Sequence, residues 1–264
     1  MPADMSDEVH AASRSASRLK RVVSSAYLSA LSRASSEDDD VTPLPRMQVF
    51  IVFINQMNVG VNVMMPFTLL VYIVREMDIS QGGDPALVGK YTGYLSCLYS
   101  FGMMLTSVPW GRASDRYGRK PVVLAACLTS AVGGVGLGMA ETYVVACLVR
   151  VVAGLCNGVI GAIKCICAEI TDHTNQARGF SLISLAWGIG SITGPTLAGL
   201  LADPCSRYLE GTSWCEDGAA FKERKYLLAC LAMALHSTIT FFLTLFFLQE
   251  TLDPSVLAGG AGAA

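Results

Sequence analysis

The sequence is poor in charged residues. Asp, Glu, Lys and Arg make up 15% of its 264 residues, whereas an average soluble domain carries about 25%. So little charge cannot cover the surface of a water-soluble fold of this length, and that class of protein is excluded. The net charge of −2 also excludes the broad positive field of a nucleic-acid-binding domain.

Patterns for catalysis are missing too. No nucleophile–base pair, phosphate-binding loop or pair of carboxylates lies at usable spacing, so the sequence predicts no enzyme. Cys165, Cys167, Glu169, Asp172 and His173 are metal-ligand residue types near one another, but their spacing matches no standard site. We therefore expect neither a metal site nor a cofactor.

Long apolar runs take the place of charge. Hydrophobic residues make up 52% of the chain, and six stretches reach or approach the roughly 20 residues that span a bilayer as a helix. The predicted fold is an all-α membrane protein, because lipid offers no partner to an open strand edge. Its six predicted transmembrane helices are Met47–Val74, Tyr91–Pro109, Pro121–Ala140, Val144–Ala168, Phe180–Ala202 and Tyr226–Leu248. Residues 1–46 and 249–264 are predicted to be cytoplasmic tails, the first of them disordered.

The distribution of cations predicts the orientation of the helices. With the N-terminus inside, eleven Lys and Arg residues lie in cytoplasmic segments and six in outer loops, which favours both termini in the cytoplasm. Seven of the nine cysteines lie in apolar stretches and are typical of packing residues. Cys205 and Cys215 lie in an outer loop, where a disulfide can persist, and at this point a bridge and a free pair are equally open.

A distinctive motif separates the second and third spans. Residues 111–121 read GRASDRYGRKP; two glycines permit a tight turn, and Asp115 can pair with neighbouring cations or cap a helix N-terminus. The order resembles the signature loop of the major facilitator superfamily, with Ala113 where Leu is usual. The resemblance implies a conformational latch, whose Asp meets a helix end in the other half of the molecule. Its residues are Gly111, Asp115, Arg116, Gly118, Arg119 and Lys120.

Two spans have polar faces. Arg150 and Asn157 share one face of the fourth span, and Asn55, Asn58 and Asn62, with Gln56 beside them, share one face of the first. Polar groups in a membrane are costly unless they line a cavity or bond across helices. We expect both faces to line a central cavity that suits an anionic or zwitterionic solute. A structural Arg150 that braces backbone carbonyls is the alternative.

The fifth span carries a ridge of small residues. Gly190, Gly194 and Ala198 allow another helix to approach closely, Pro195 adds a bend, and Gly199 completes the motif. Its order resembles the antiporter motif of drug:proton exchangers. In a single six-helix half, we expect this ridge to remain open to lipid or to seek a partner.

Residues farther along the chain resemble one particular branch of this superfamily. Asn157-Gly158, Glu169, residues 179–190 and Glu250-Thr251-Leu252 resemble the plant zinc-induced-facilitator-like branch. The resemblance implies one six-helix half of a secondary transporter of small solutes in a vacuolar or plasma membrane. Its partners would be the lipid bilayer, the solute, protons, and a missing C-terminal half or a second copy, but no nucleic acid. Proton coupling rests on the resemblance alone, since no span has an acidic residue in its interior. A transport-incompetent regulator or scaffold is the alternative.

Overall fold

The computed structural model describes residues 42–77, 79, 82, 84–207, 215, 221 and 224–252. Most of both predicted tails lies outside these residues. Every regular element in the described part is helical, which confirms the predicted all-α class. The helices are α1 (Arg46–Glu76), α2 (Pro85–Tyr117), α3 (Arg119–Gly138), α4 (Tyr143–Leu155), α5 (Val159–Ile170), α6 (Gln176–Leu201), α7 (Pro204–Arg207) and α8 (Leu227–Phe247).

Five stretches of the described chain are long and apolar enough to cross a membrane: α1, α3, α4 with α5, α6 and α8. The remaining long helix, α2, has 33 residues and so is about 50 Å long. Its Tyr, Ser, Thr and Gly residues lower its hydropathy. Counted with α2, the bundle matches the six predicted spans.

The motif between the second and third spans is mostly helical, which corrects the predicted loop. Helix α2 continues through Pro109 as far as Tyr117, and α3 begins at Arg119. A proline removes one backbone donor and bends a membrane helix without having to end it. Gly118, with φ of 106°, makes the turn between the two helices by itself. Gly111, predicted to belong to that turn, lies inside α2.

The fourth span is broken, which corrects the predicted continuous helix Val144–Ala168. Helix α4 ends at Leu155, and α5 begins at Val159. Cys156 has φ of −92° and ψ of 5°, and Gly158 has φ of −98° and ψ of 7°, so both residues depart from helical geometry at the break. The break lies beside Arg150 and contains Asn157, two of the predicted site residues.

Helices α1 and α6 touch through glycines. A Cβ atom on Gly190 would lie 2.4 Å from the carbonyl oxygen of Met57 and 3.0 Å from Cα of Gly60. One on Gly194 would lie 3.2 Å from the carbonyl oxygen of Val61. The ridge of the fifth span is therefore covered by the first span. The expectation that the ridge faces lipid or a partner is wrong, because the helix that covers the ridge lies within the described bundle.

The other predicted packing residues of α6 lie beyond this contact. A Cβ atom on Gly199 would meet nothing within 4 Å, and Pro195 is half-buried within the helix. Gly190, Gly194 and Ala198, by contrast, are all buried.

Candidate functional site

The amides of α1 bond across helices at the middle of the bundle. Asn55 Nδ2 donates to Thr244 Oγ1 at 2.7 Å. Asn58 Oδ1 accepts from Ser237 Oγ at 3.0 Å and from Asn62 Nδ2 at 2.9 Å. All three asparagines are buried. Of the two roles open to these amides, the structure shows interhelical bonding to α8.

Gln56 behaves differently from its neighbours. Its side chain is buried, but its Oε1 accepts no hydrogen bond from the described part of the chain. Gln56 also borders neither of the two small cavities that the three asparagines line. The structure therefore does not bring Gln56 to the predicted site.

Arg150 lies on an aromatic ring that the sequence analysis missed. Its guanidinium carbon is 4.4 Å from the centre of the Tyr99 ring, close enough for a cation–π interaction. Asn157 Nδ2 donates to Tyr99 Oη at 2.6 Å. Tyr99, Arg150 and Asn157 form what we call the central cluster. Tyr99 was missed because nothing in the local pattern of the second span distinguishes it from Tyr91 and Tyr94.

Several polar atoms of the central cluster have no partner among the described residues. Arg150 is 4% exposed, yet its Nε and Nη2 make no hydrogen bond within this part of the chain, and Asn157 Oδ1 accepts none there. These two nitrogens form the edge of the guanidinium that can hold a carboxylate through two bonds. Through these atoms, therefore, Arg150 does not brace backbone carbonyls.

The two predicted polar faces meet at small cavities. A cavity of about 20 Å³ is bordered by Asn62, Tyr99, Arg150 and Asn157. A second one of about 10 Å³ is bordered by Asn55, Asn58 and Asn157. Each has room for about one water molecule, so a larger solute requires the bundle to open. No carboxylate borders either cavity among the described residues.

At one end of the bundle, Arg119 joins three helices. Its guanidinium pairs with Asp115 at the end of α2 and, at 3.1 Å, with Glu169 at the end of α5. It also donates to Ser114 Oγ at 3.2 Å. Asp115 therefore takes the first of its two expected roles, pairing with a cation.

Glu250 takes the other role, capping a helix N-terminus. Its carboxylate accepts from the backbone nitrogens of Arg119 at 2.8 Å and Lys120 at 3.0 Å, the first residues of α3, where an anion is stabilised. A Cβ atom on Gly118 would lie 2.4 Å from Glu250 Oε2. Thr251 Oγ1 donates to Glu169. Asp115, Arg119, Glu169, Glu250 and Thr251 form what we call the latch network.

Not all predicted latch residues belong to this network. Arg116 lies 5.6 Å from the centre of the Tyr117 ring, and a Cβ atom on Gly111 would meet nothing within 4 Å. Lys120 takes part through its backbone nitrogen. The sequence analysis noted Glu169 and Glu250 only among the residues that carry the family resemblance. It predicted no contact for either of them.

The opposite end of the bundle is also tied together. Cys205 and Cys215 form a disulfide with a Cα–Cα distance of 5.6 Å. Lys225 Nζ donates to Glu76 at 2.7 Å, and this hydrogen bond raises the pKa of Lys225. Arg224 pairs with Glu141. These pairs connect the segment before α8 to the ends of α1 and α3.

Residues 49–214 match the sequence model of the Major Facilitator Superfamily. The chain is 31% identical to the Arabidopsis thaliana protein ZINC INDUCED FACILITATOR-LIKE 1 over 191 residues, which is 72% of this chain and 39% of the relative. It is 29% identical to the multidrug transporter mfsB of Aspergillus fumigatus over 81% of this chain and 35% of the relative. The chain thus spans about two fifths of the length of these curated relatives.

The fold is similar to that of solved transporters. The human organic anion transporter MFSD10 (TETRAN) matches with a TM-score of 0.61 at 18% identity, over 81% of this chain and 50% of that chain. A peptide transporter, POT, solved in complex with sulfate, matches with a TM-score of 0.55 at 14% identity, over 75% and 37%. Both matches concern the fold alone.

Proposed function

Because the chain belongs to the Major Facilitator Superfamily, we propose that it forms the N-terminal half of a proton-coupled secondary transporter of a small solute. In such transporters two repeats rock around a site at the middle of the membrane. The half-length coverage of a solved transporter chain supports this assignment. A complementary six-helix half, or a second copy, completes the molecule, and its membrane is vacuolar or plasma membrane.

We propose an anionic or zwitterionic solute, and one observation carries this: the unpartnered edge of Arg150. A cation buried among apolar helices is costly to leave without a counter-charge. The ring of Tyr99 compensates part of this cost, but Nε and Nη2 have no partner in the described bundle. A carboxylate or similar anion would satisfy both atoms at once.

The small size of the cavities supports transport by alternating access. A site that holds one water molecule takes a solute only when the helices around it separate. The latch network holds α2, α3 and α5 together at one end of the bundle. We propose that its release accompanies the opening of the central cluster.

The experiment measures binding of benzoate, an organic anion, to the purified chain in lipid nanodiscs. Arg150→Gln removes the charge and is expected to weaken binding at least 10-fold; Arg150→Lys keeps the charge but loses the planar fork, and we expect an intermediate affinity. Added salt should weaken binding to the wild type. Lys164→Gln is the matched control, since Lys164 is an exposed cation on α5. Equal benzoate affinity in the wild type and Arg150→Gln would rule out the charge role.

A second measurement tests whether the chain transports alone. Alternating access requires two halves, so the reconstituted chain is expected to show no saturable uptake as a monomer. Stoichiometry is determined in the same vesicles by counting bleaching steps of a single fluorophore. Saturable uptake by a verified monomer would contradict the proposal that this chain is one half of the transporter.

A further inference from the structure

The break in the fourth span leaves backbone groups without partners inside the helix. The last four carbonyls of a helix lack intrahelical donors, and Leu155 is the last residue of α4. Asn157 N bonds to the Gly154 carbonyl at 3.1 Å, a tightened turn. A buried carbonyl in a membrane is costly when it accepts no hydrogen bond, so we expect a side-chain donor for the Leu155 carbonyl.

Trp110 of α2 is the side-chain donor to the Leu155 carbonyl. Its indole Nε1 donates to the Leu155 carbonyl oxygen at 2.8 Å. The same side chain fills the space at Gly158, where a Cβ atom would lie 2.3 Å from Trp110 Cγ. One tryptophan therefore replaces the missing backbone donor and occupies the gap between α4 and α5. A side chain inserted in this way is one of the recognised causes of a helix kink.

The short helix α5 is thus held at both ends by different contacts. At its N-terminal end lie Gly158 and the indole of Trp110. At its C-terminal end, Glu169 receives Arg119 at 3.1 Å and the hydroxyl of Thr251. Helix α5 is twelve residues long, a rigid length of about 18 Å.

We propose that α5 is a lever that couples the latch network to Asn157, and that Trp110 is its pivot and a positioning residue for the central cluster. When Glu169 leaves Arg119, α5 rotates about the break, and the Asn157 side chain loses its place beside Tyr99. This coupling rests on the latch release proposed above, names the helix and the residue that transmit it, and requires no particular solute. The contacts that carry it lie at the two packed ends of one rigid helix.

The test uses Cys156, a half-buried thiol within the break, as its reporter. The other free cysteines are replaced by alanine, and the rate of labelling of Cys156 by N-ethylmaleimide is measured on the purified, lipid-reconstituted chain. Trp110→Phe keeps the ring but loses the N–H donor, and labelling should be about 5-fold faster for the loss of one hydrogen bond. Gly158→Ala pushes a methyl group into the indole and should also accelerate labelling. Trp187→Phe, on α6, is the matched control and should change nothing.

Coupling is tested at the distant end of α5. Glu169→Gln should accelerate labelling of Cys156 about 3-fold, although the two residues lie at opposite ends of the helix, while Glu141→Gln at the other end of the bundle should not. In the Trp110→Phe background, Glu169→Gln should add less than its own factor, because coupled sites are not additive. Unchanged labelling in both Trp110→Phe and Gly158→Ala would overturn the pivot. Unchanged labelling in Glu169→Gln, or fully multiplicative effects, would overturn the lever. Neither readout depends on benzoate binding or uptake.

Discussion

The latch network and the central cluster both surround a buried arginine, but they treat it in opposite ways. Arg119 has two carboxylates, a serine hydroxyl and a capped helix N-terminus around it. Arg150 has an aromatic face beside it, and two of its nitrogens make no hydrogen bond to the part of the chain that the structure describes. A paired arginine holds helices together, whereas an unpaired one is available to a ligand. Within one helical bundle, the partners of each arginine therefore distinguish a structural contact between helices from a candidate binding site.

The largest expected effect separates α6 from α1, the helix whose Asn62 borders the same cavity as Arg150. Gly190→Leu would push α6 away from α1, because the carbonyl of Met57 lies 2.4 Å from the position of the new Cβ. We expect a loss of about 3 kcal/mol of unfolding free energy, since backbone atoms cannot move aside as side chains can. SDS titration of the reconstituted chain measures this. Leu197→Ala, at an exposed position on the same helix, should cost under 1 kcal/mol; the reverse order would refute close packing of α1 on α6.

The two arginines are compared directly by replacing each with methionine. Arg119→Met leaves Glu169 without its partner and is expected to cost about 2 kcal/mol, less than a fully buried pair would, because Asp115 is largely exposed. Arg150→Met breaks no hydrogen bond of Nε or Nη2 and removes a buried charge, so stability should be unchanged or higher. Thermal unfolding of both variants in detergent measures the difference. Equal destabilisation by the two substitutions would contradict the assignment of Arg119 to helix packing and Arg150 to ligand binding.

The turn of the latch network is tested with two glycines. Gly118→Ala adds a Cβ at φ of 106° and 2.4 Å from Glu250 Oε2, and we expect a cost of about 1–2 kcal/mol. Gly111→Ala lies inside α2 with open space around it and should be neutral or stabilising by up to about 1 kcal/mol. Melting temperatures of the two variants should move in opposite directions. A fall for Gly111→Ala that matches the fall for Gly118→Ala would show that the turn is not special.

The smallest expected effect separates two asparagines near the cavities. Asn58→Ala leaves the hydroxyl of Ser237 and the amide of Asn62 without their shared acceptor, at a cost of about 1 kcal/mol. Asn157→Ala loses one bond to Tyr99 but also removes an unpaired oxygen, so its net cost should be close to zero. Chemical unfolding in mixed micelles resolves the two. A larger loss for Asn157→Ala would place that residue among the structural amides.

Local sequence was enough for much of the fold. Runs of apolar residues predict the helices because a bilayer admits little else. Helical spacing placed Arg150 with Asn157, and Asn55 with Asn58 and Asn62, on common faces, and both sets border the same small cavities in the structure. The ridge of α6 was also recognisable, but which helix covers it was not, because a ridge of small residues suits any close partner.

The sequence alone therefore determined that the protein lies in lipid, where its helices run, and which faces of the first and fourth spans are polar. Only the tertiary structure decided which side chains meet between the helices. Trp110 bonds to a carbonyl 45 residues away, and Glu250 caps a helix 131 residues away. Spacing along a helix reports which residues share a face, but it carries no information on which helix lies opposite. The break at Asn157 was likewise not predictable from local sequence. The carbonyl that it leaves without a backbone donor accepts a hydrogen bond from a tryptophan on another helix.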